Sequence, residues 1–212
     1  MKKQPKIILA SDLTSLFKYG YELTGIPKDD MRIGYVITAA LASSDISWFE
    51  EVKKKIIAAG YNFEEIDIAG KTREQILEFF KDKNIVHVEG GNTFYLLKVI
   101  RETGFAEILK QLLNSGMVYI GTSAGSYVMC PTIEVSGWKV GRNQFGLTDL
   151  TALNYVPFVL KAHYTDGAEA ESVTEENLKA LKHPLRILRD GELIMLDESG
   201  TRFFGDNPET VI

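Results

Sequence analysis

Residues 117–125 read Met117-Val118-Tyr119-Ile120-Gly121-Thr122-Ser123-Ala124-Gly125. The apolar run at the start of this stretch predicts a buried strand, and the residues after Gly125 predict a helix. Gly121 and Gly125 flank the serine in a G-x-S-x-G pattern, which permits a sharp strand-to-helix turn that exposes the serine hydroxyl above the sheet. The alternative is an ordinary glycine-rich turn with an incidental serine, because five-residue patterns recur by chance.

Strand-like and helix-like segments alternate on the N-terminal side of this turn. The predicted strands, which would be parallel, cover residues 6–10, 32–38, 62–68, 85–88 and 117–120. The predicted helices cover residues 46–59, with Asp45 as N-cap, 72–80, with a capping box at 72–75, 93–103 and 105–115. This alternation predicts an α/β sandwich, with helices on both faces of a mostly parallel central sheet.

The pattern changes after Pro131. Residues 134–153 are rich in Gly, Thr and Asn, which predicts loops with short strands. Beyond them we expect a strand over 156–161, a helix over 168–181 and a hairpin formed by 192–196 and 201–204. With no linker in view, residues 1–212 are expected to form a single domain.

Composition limits the class of protein. Hydrophobic residues are 45% and charged residues 25% of the 212, as in an ordinary globular domain. The formal net charge of −5 favours small-molecule or peptide partners over nucleic acid. The single cysteine, Cys130, excludes an intrachain disulfide and a Cys/His zinc cluster, which favours a cytoplasmic location. No apolar run approaches the roughly 20 residues that span a bilayer, so no membrane association is expected, and a homodimer is left open.

Two turns carry groups suited to nucleophilic chemistry. Ser123 on its elbow is the candidate nucleophile, and the backbone N–H of Ala124 would face a developing oxyanion. A second glycine turn follows the predicted strand over 85–88, on the same sheet edge, and its Gly91 could supply the second oxyanion N–H. A phosphate-binding turn or a plain loop is the alternative for this second turn.

A serine nucleophile needs a base, and the three histidines are His87, His163 and His183. His87 lies in a predicted central strand, where we expect a hydrogen-bonded core histidine. His183 precedes Pro184 at a predicted helix end, where we expect it to face water. His163 follows a strand and begins a loop, where catalytic groups often lie, so it is the preferred base.

The base in turn needs an orienting carboxylate. Sequence spacing does not choose among the four candidates, which are Glu134, Asp149, Asp166 and Asp190.

Three ordered motifs together resemble a known family. They are Gly90-Gly91-Asn92-Thr93-Phe94, Gly121-Thr122-Ser123-Ala124-Gly125 followed by Cys130-Pro131-Thr132-Ile133, and His163-Tyr164-Thr165-Asp166. They resemble peptidase family S51, the family of dipeptidase E and cyanophycinase, over nearly the whole chain. The resemblance implies a fold like that of the class I glutamine amidotransferases, which is flavodoxin-like, with a serine replacing their elbow cysteine. It also implies cleavage of short peptides with N-terminal aspartate or of related aspartyl amides, without a metal or organic cofactor.

The resemblance assigns a role to each matching residue. Ser123 becomes the nucleophile and His163 the general base, with Gly91 and Ala124 as the oxyanion hole. The family's acid is a glutamate in a Leu-Pro-Glu-Gly type turn. Here Leu188-Arg189-Asp190-Gly191 occupies that place, so Asp190, one methylene shorter, is the expected acid. The residues expected to contact a small peptide substrate are Asn92, Thr93 and Tyr164.

One departure concerns the substrate. In aspartyl dipeptidases an arginine shortly after the histidine pairs with the substrate's aspartate, but here no arginine or lysine lies between Lys161 and Lys179. A buried carboxylate without a cationic partner is costly, so strict N-terminal aspartate specificity is not expected. Arginines that could substitute from elsewhere are Arg142, Arg186 and Arg189.

Two other functions remain open at this point. An α/β-hydrolase esterase shares G-x-S-x-G but expects the order serine, acid, histidine, which would require His183 with Asp149 or Asp166. The second alternative is a binding protein that kept the fold and lost activity. The missing arginine and the shortened acid suggest it. Retention of Ser123 and His163 favours the peptidase over both.

Overall fold

The computed structural model describes residues 4–43, 45–138 and 143–212. Its strands are β1 (Ile7–Ala10), β2 (Ile33–Val36), β3 (Phe63–Ile66), β4 (Ile85–Val88), β5 (Val118–Thr122), β6 (Val159–Lys161), β7 (Leu185–Ile187), β8 (Leu193–Asp197), β9 (Gly200–Phe204) and β10 (Thr210–Val211). The main sheet has the strand order β3-β2-β4-β5-β1-β8-β9. Its first five strands are parallel to one another, β8 pairs antiparallel with β1, and β9 pairs antiparallel with β8, which confirms the predicted mostly parallel α/β architecture.

The helices lie between these strands. They are α1 (Leu13–Ser15), α2 (Tyr21–Leu23), α3 (Thr38–Leu41), α4 (Ser47–Ala58), α5 (Arg73–Phe80), α6 (Thr93–Thr103), α7 (Phe105–Asn114), α8 (Ala124–Tyr127), α9 (Ala168–Glu171) and α10 (Glu175–Ala180). A π-helical turn (Leu16–Gly20) and two 3-10 turns (Lys28–Asp30 and Glu134–Gly137) complete the set for the described ranges. Within those ranges, no helix has the length and apolar character needed to span a membrane.

The main sheet is covered on both faces because side chains alternate along each strand. Ile7 and Leu9 of β1 belong to one core, together with side chains from α5, α6 and α7. Ile8 and Ala10 belong to the other core, together with side chains from α2 and α4. Burial on both faces explains why the central strands read as continuous apolar runs.

Local sequence signals correctly marked most element ends. Thr72 caps α5 through the predicted capping box, and Gly104 ends α6 in the left-handed conformation with φ 67°. The prediction of Asp45 as an N-cap was off by one residue. Ile46 occupies the cap of α4, while the Asp45 carboxylate accepts a hydrogen bond from the Ser47 amide at 2.8 Å.

The C-terminal third differs most from expectation. The helix predicted over 168–181 is two short helices, because Thr174 caps α10 through its hydroxyl and interrupts the run. β6, β7 and β10 form a small separate sheet, of which the sequence analysis identified only the first strand. In residues 134–153 the structure shows the 3-10 turn and a Thr132–Thr151 bridge, and residues 139–142 lie outside the described ranges.

His87 is fully buried in β4, as expected, but the expected hydrogen bonds are absent. Within the described ranges neither ring nitrogen has a partner, and the ring packs against Tyr21 and Tyr35 with centroid distances of 6.4 and 4.5 Å. Burial lowers the pKa of His87 to about 3, because a charged imidazolium cannot be solvated there. His87 is therefore a neutral core residue.

This burial predicts acid sensitivity. Below about pH 6.5 the unfolded chain binds a proton at His87 that the folded chain excludes until about pH 3, so stability falls as pH falls through that window. Comparing urea unfolding of wild type and His87→Leu, we expect the wild type to lose about 2 kcal/mol more than the variant between about pH 7 and about pH 5. Identical pH dependence of the two proteins would contradict this assignment.

Candidate active site

Three loops meet at the carboxyl edge of the sheet. β4, β5 and β1 are neighbours, so the segments that follow them, which begin at Glu89, Ser123 and Ser11, lie side by side. In parallel α/β sheets such edges are where ligands bind. The predicted elbow and the predicted glycine turn are thus brought together.

Ser123 sits on a strained turn. Its backbone has φ 46° and ψ −104°, a combination that few non-glycine residues adopt. The flanking glycines are required because the chain packs so closely. A Cβ on Gly125 would lie 2.1 Å from the Val88 carbonyl oxygen, and one on Gly121 would lie 2.5 Å from the Gly125 carbonyl carbon. The G-x-S-x-G pattern is therefore a packing requirement at this elbow.

The elbow is fastened on several sides. The Ser123 amide donates to the Ala10 carbonyl of β1 at 3.0 Å. The Ser126 hydroxyl lies 2.8 Å from the carbonyl oxygens of both Ala10 and Gly121. The Ala124 amide is in the first turn of α8, where backbone N–H groups lack intrahelical acceptors.

The glycine turn after β4 approaches the elbow closely. A Cβ on Gly90 would lie 3.1 Å from the Ser123 Cβ atom. Gly91 has φ 134°, and a Cβ there would lie 2.2 Å from the Ala39 carbonyl oxygen, so only glycine fits. The Asn92 amide donates to that same carbonyl at 3.0 Å and fixes the turn to α3.

His163 is paired with Asp190. The His163 Nδ1 atom lies 2.7 Å from Asp190 Oδ1, and the hydrogen bond from His163 lowers the pKa of Asp190. A carboxylate can only accept, so Nδ1 carries the hydrogen and Nε2 holds the free lone pair. The two side chains are 46% and 60% exposed, so water weakens their Coulombic attraction, and orientation is the main effect of the pair.

Three consecutive amides hold the His163 loop. Those of Ala162, His163 and Tyr164 donate to the Tyr127 hydroxyl at 2.9 Å, the Ser11 hydroxyl at 2.8 Å and the Leu188 carbonyl at 3.1 Å. His163 itself has φ 56°, a left-handed conformation that this network maintains. The loop is thus tied to the helix after Ser123, to the residue that follows β1 and to the segment carrying Asp190.

Ser11 is a site residue that the sequence analysis missed. Its fully buried hydroxyl donates to Asp190 Oδ1 at 3.0 Å while accepting from the His163 amide. The next residue, Asp12, accepts from the Gly191 amide at 2.9 Å. A serine directly after an apolar strand was the available signal, but nothing local indicated a partner 179 residues away.

A cavity of about 1010 Å³ opens over these loops. Ser123, His163, Gly91 and Asn92 all line it, so the structure brings four predicted site residues to one cavity. Thr93 is buried at the start of α6, and Tyr164 packs on the core with the Arg189 guanidinium 5.2 Å from its ring centre. Neither of them is among the described residues that line the cavity.

The alternative acids and bases lie elsewhere. Asp149 and Asp166 are ion-paired with Arg101 at 3.2 Å and Arg189 at 3.3 Å. In the described part of the chain, neither carboxylate contacts His183, which is half-buried before β7. The triad order required for the esterase is therefore not assembled. Glu134 begins a 3-10 turn three residues after Pro131 in the sequence.

The arginines proposed as substitutes are also engaged. Arg186 pairs with Glu209 and lies over the Phe158 ring, with 4.7 Å between guanidinium and ring centre. Arg189 pairs with Asp166, and Arg142 lies outside the described residues. Among the described residues that line the cavity, Lys55 of α4 is the only lysine or arginine.

Fold and site together define a class of protein. A serine on a strained strand-to-helix elbow that lines one cavity with an Asp-paired histidine is typical of α/β hydrolytic enzymes. The family model "Peptidase family S51" matches residues 12–204, and the chain belongs to that family. It is a peptidase.

Individual relatives agree. Peptidase E of Nostoc sp. is 30% identical over 186 residues, covering 82% of this chain and 73% of that protein. An uncharacterized peptidase of Pasteurella multocida is 28% identical over 162 residues, covering 76% and 78%. The chain thus resembles peptidases along most of its length.

Solved structures show the same fold. A candidate peptidase E from Listeria monocytogenes EGD-e superposes with a TM-score of 0.80 at 23% identity, covering 96% of this chain and 99% of that one. A peptidase from an acI-B1 Actinobacterium gives 0.70 at 15% identity, covering 100% and 95%. Both confirm the α/β architecture.

The packing at the elbow predicts a large stability difference between two glycine substitutions. In Gly125→Ala the new methyl would overlap the Val88 carbonyl, so we expect a loss of at least about 2 kcal/mol in unfolding free energy. In Gly167→Ala the methyl has open space, so we expect a change within about 0.5 kcal/mol. Urea titration measures both, and equal stability of the two variants would refute the packing argument.

Proposed function

We propose that this chain is a serine peptidase that hydrolyses short peptides as an exopeptidase or dipeptidase, with Ser123 as nucleophile. The observation that carries the proposal is the strained Ser123 elbow lining one cavity with His163, whose Nδ1 is bonded to Asp190. Family membership supports peptide-bond hydrolysis. Residues 1–212 would act as a single peptidase domain.

The chemistry follows from the groups at the cavity. His163 Nε2 takes the proton from Ser123 Oγ as that oxygen attacks the scissile carbonyl. The amides of Gly91 and Ala124 hold the resulting oxyanion, and the protonated His163 then gives its proton to the leaving amine. Water, activated by the same histidine, hydrolyses the acyl-enzyme and frees Ser123. Every step uses this chain's own side chains and amides.

Asp190 is proposed as the orienting acid. As a carboxylate it keeps the Nδ1 hydrogen in place and stabilises the imidazolium that forms when Ser123 is deprotonated. Ser11 fixes the carboxylate through a second hydrogen bond at 3.0 Å. The shorter side chain thus still reaches His163.

The proposed substrate class is short peptides in general. Arg186 and Arg189 are already paired with Glu209 and Asp166, so neither is offered as the partner of an N-terminal aspartate. A family-wide preference for aspartate is therefore not extended to this chain. Because its one cysteine, Cys130, is a buried free thiol, we place the enzyme in the cytoplasm.

Hydrolysis of a dipeptide panel, with acidic, basic and apolar N-terminal residues, tests the nucleophile and the base. We expect Ser123→Ala and His163→Gln each to lower kcat by at least about 10³-fold, because each removes an essential member of the triad. His183→Gln is the matched control and should stay within about twofold of wild type. Mass spectrometry of the products gives rates and residue preference together.

The outcomes separate the competing functions. Loss of activity in His183→Gln but not in His163→Gln would support the esterase order instead. The proposed mechanism would be wrong if the wild type cleaved no panel peptide. It would also be wrong if Ser123→Ala kept the wild-type activity.

The acid is tested by a pair of substitutions at one position. Asp190→Asn keeps the shape and an oxygen that can accept from both His163 Nδ1 and Ser11, but it removes the negative charge that stabilises the imidazolium, so kcat should fall by about 10²-fold. Asp190→Glu restores the family's carboxylate and should stay within about tenfold of wild type. Steady-state kinetics on the best panel peptide measures both, and an Asn variant as active as the Glu variant would remove Asp190 from the triad.

A further inference from the structure

The two turns that carry the proposed oxyanion amides extend beyond the sheet that supports them. Pairing between β4 and β5 ends at Val88 and Gly121. Gly91 and Ala124 each lie three residues beyond that last pair. Main-chain pairing between β4 and β5 therefore does not fix the spacing of the two amides.

Glu89 links the two turns through one carboxylate oxygen. Its Oε1 atom accepts from the Gly90 amide at 2.5 Å and from the Thr122 hydroxyl at 2.7 Å. Gly90 directly precedes Gly91, and Thr122 directly precedes Ser123. The other oxygen, Oε2, accepts from the Tyr35 hydroxyl.

This carboxyl is an unusual group to find in such a place. Glu89 is 4% exposed and lines the cavity, on the face of the sheet that also buries Tyr21, Tyr35 and His87. Burial raises the pKa of Glu89, while hydrogen bonds from Tyr35, Gly90 and Thr122 oppose that rise. A buried carboxyl is costly to retain, and here two of the three donors that satisfy it, Gly90 and Thr122, lie directly before Gly91 and Ser123.

We infer that Glu89 is a positioning residue that sets the separation of the Gly91 and Ala124 amides by joining the turns before them. The inference rests on the proposed function, since it concerns the oxyanion hole of that mechanism. Oxyanion stabilisation depends on donors held at the place where charge develops, so loosening the link lowers the rate of the chemical step more than substrate binding.

The acceptor oxygen of Glu89, and not its negative charge, joins the two turns. Both turn donors use Oε1, so a glutamine with its amide oxygen at Oε1 keeps both bonds, and its amide nitrogen can donate to the Tyr35 hydroxyl. A methionine has similar length but no comparable acceptor, so it leaves the Gly90 and Thr122 donors unpaired. Glu89→Gln and Glu89→Met are therefore a matched pair.

A second pair tests the same link from the other turn. Thr122→Val removes the hydroxyl that donates to Glu89 but keeps the branched shape, whereas Thr122→Ser keeps the hydroxyl. The pair leaves the buried carboxyl in place. If Glu89→Met fails to fold, the two Thr122 variants still test whether the hydrogen bond between Thr122 and Glu89 supports the chemical step.

The experiment is steady-state kinetics on two probes, p-nitrophenyl acetate and the dipeptide that the wild type cleaves best, with melting temperatures as the check on folding. We expect Glu89→Met to lower kcat about 10- to 10²-fold with KM changed less than about threefold, and Glu89→Gln to stay within about threefold of wild type. Thr122→Val should lower kcat about tenfold, and Thr122→Ser should restore it.

Three results would overturn the inference. One is a folded Glu89→Met variant with wild-type kcat. Another is an equal loss in Glu89→Gln and Glu89→Met, which would make the charge rather than the acceptor responsible. The third is equal activity of Thr122→Val and Thr122→Ser.

Failure of the proposed function gives a different result. If the wild type hydrolyses neither probe, or if Ser123→Ala hydrolyses both at the wild-type rate, the serine mechanism fails, and the inference fails with it. A Ser123-dependent activity that ignores the Glu89 and Thr122 substitutions would overturn the positioning role alone.

Discussion

Close packing between the Ser123 elbow and the neighbouring strand is the constraint on which the site depends. The chain must turn from β5 into α8 within van der Waals distance of the Val88 carbonyl, which leaves no room for a Cβ at Gly125. Ser123 is consequently held at a positive φ, and its side chain projects into the cavity. Strain of this kind persists only where surrounding contacts over-determine it, and the bonds to Ala10 and Gly121 do so here.

β1 pairs with two strands of the sheet, and the residues that follow it position groups of the site. It lies between β5 and β8, so its last residues face the elbow on one side and the Asp190 turn on the other. Ser11 and Asp12, which follow it directly, bond Asp190 and Gly191. One short segment thereby holds the acid next to His163, although that histidine belongs to a loop of the small second sheet.

The polar groups buried beneath the cavity differ in how they are satisfied. Glu89 is met by three donors, whereas His87 and the Tyr21 hydroxyl have no partner within the described ranges. Burial holds His87 neutral and raises the pKa of Tyr21, so both stay uncharged. Of Glu89, His87 and Tyr21, it is Glu89 that links the core to the turns around Ser123.

The amino-acid sequence by itself determined the local features of this protein. Apolar periodicity located the five parallel strands, the capping box placed the start of α5, and Gly-x-Ser-x-Gly marked the elbow, because these signals act between residues a few positions apart. Motif order likewise indicated the family. Spacing alone did not choose among the four candidate acids, and the family resemblance was needed to name Asp190, which the structure places against His163. Tertiary structure alone decided that Ser11 and Glu89 support the site and that β7 and β10 pair. Those contacts join residues up to 179 positions apart, and they depend on how strands are ordered in space, which no local pattern encodes.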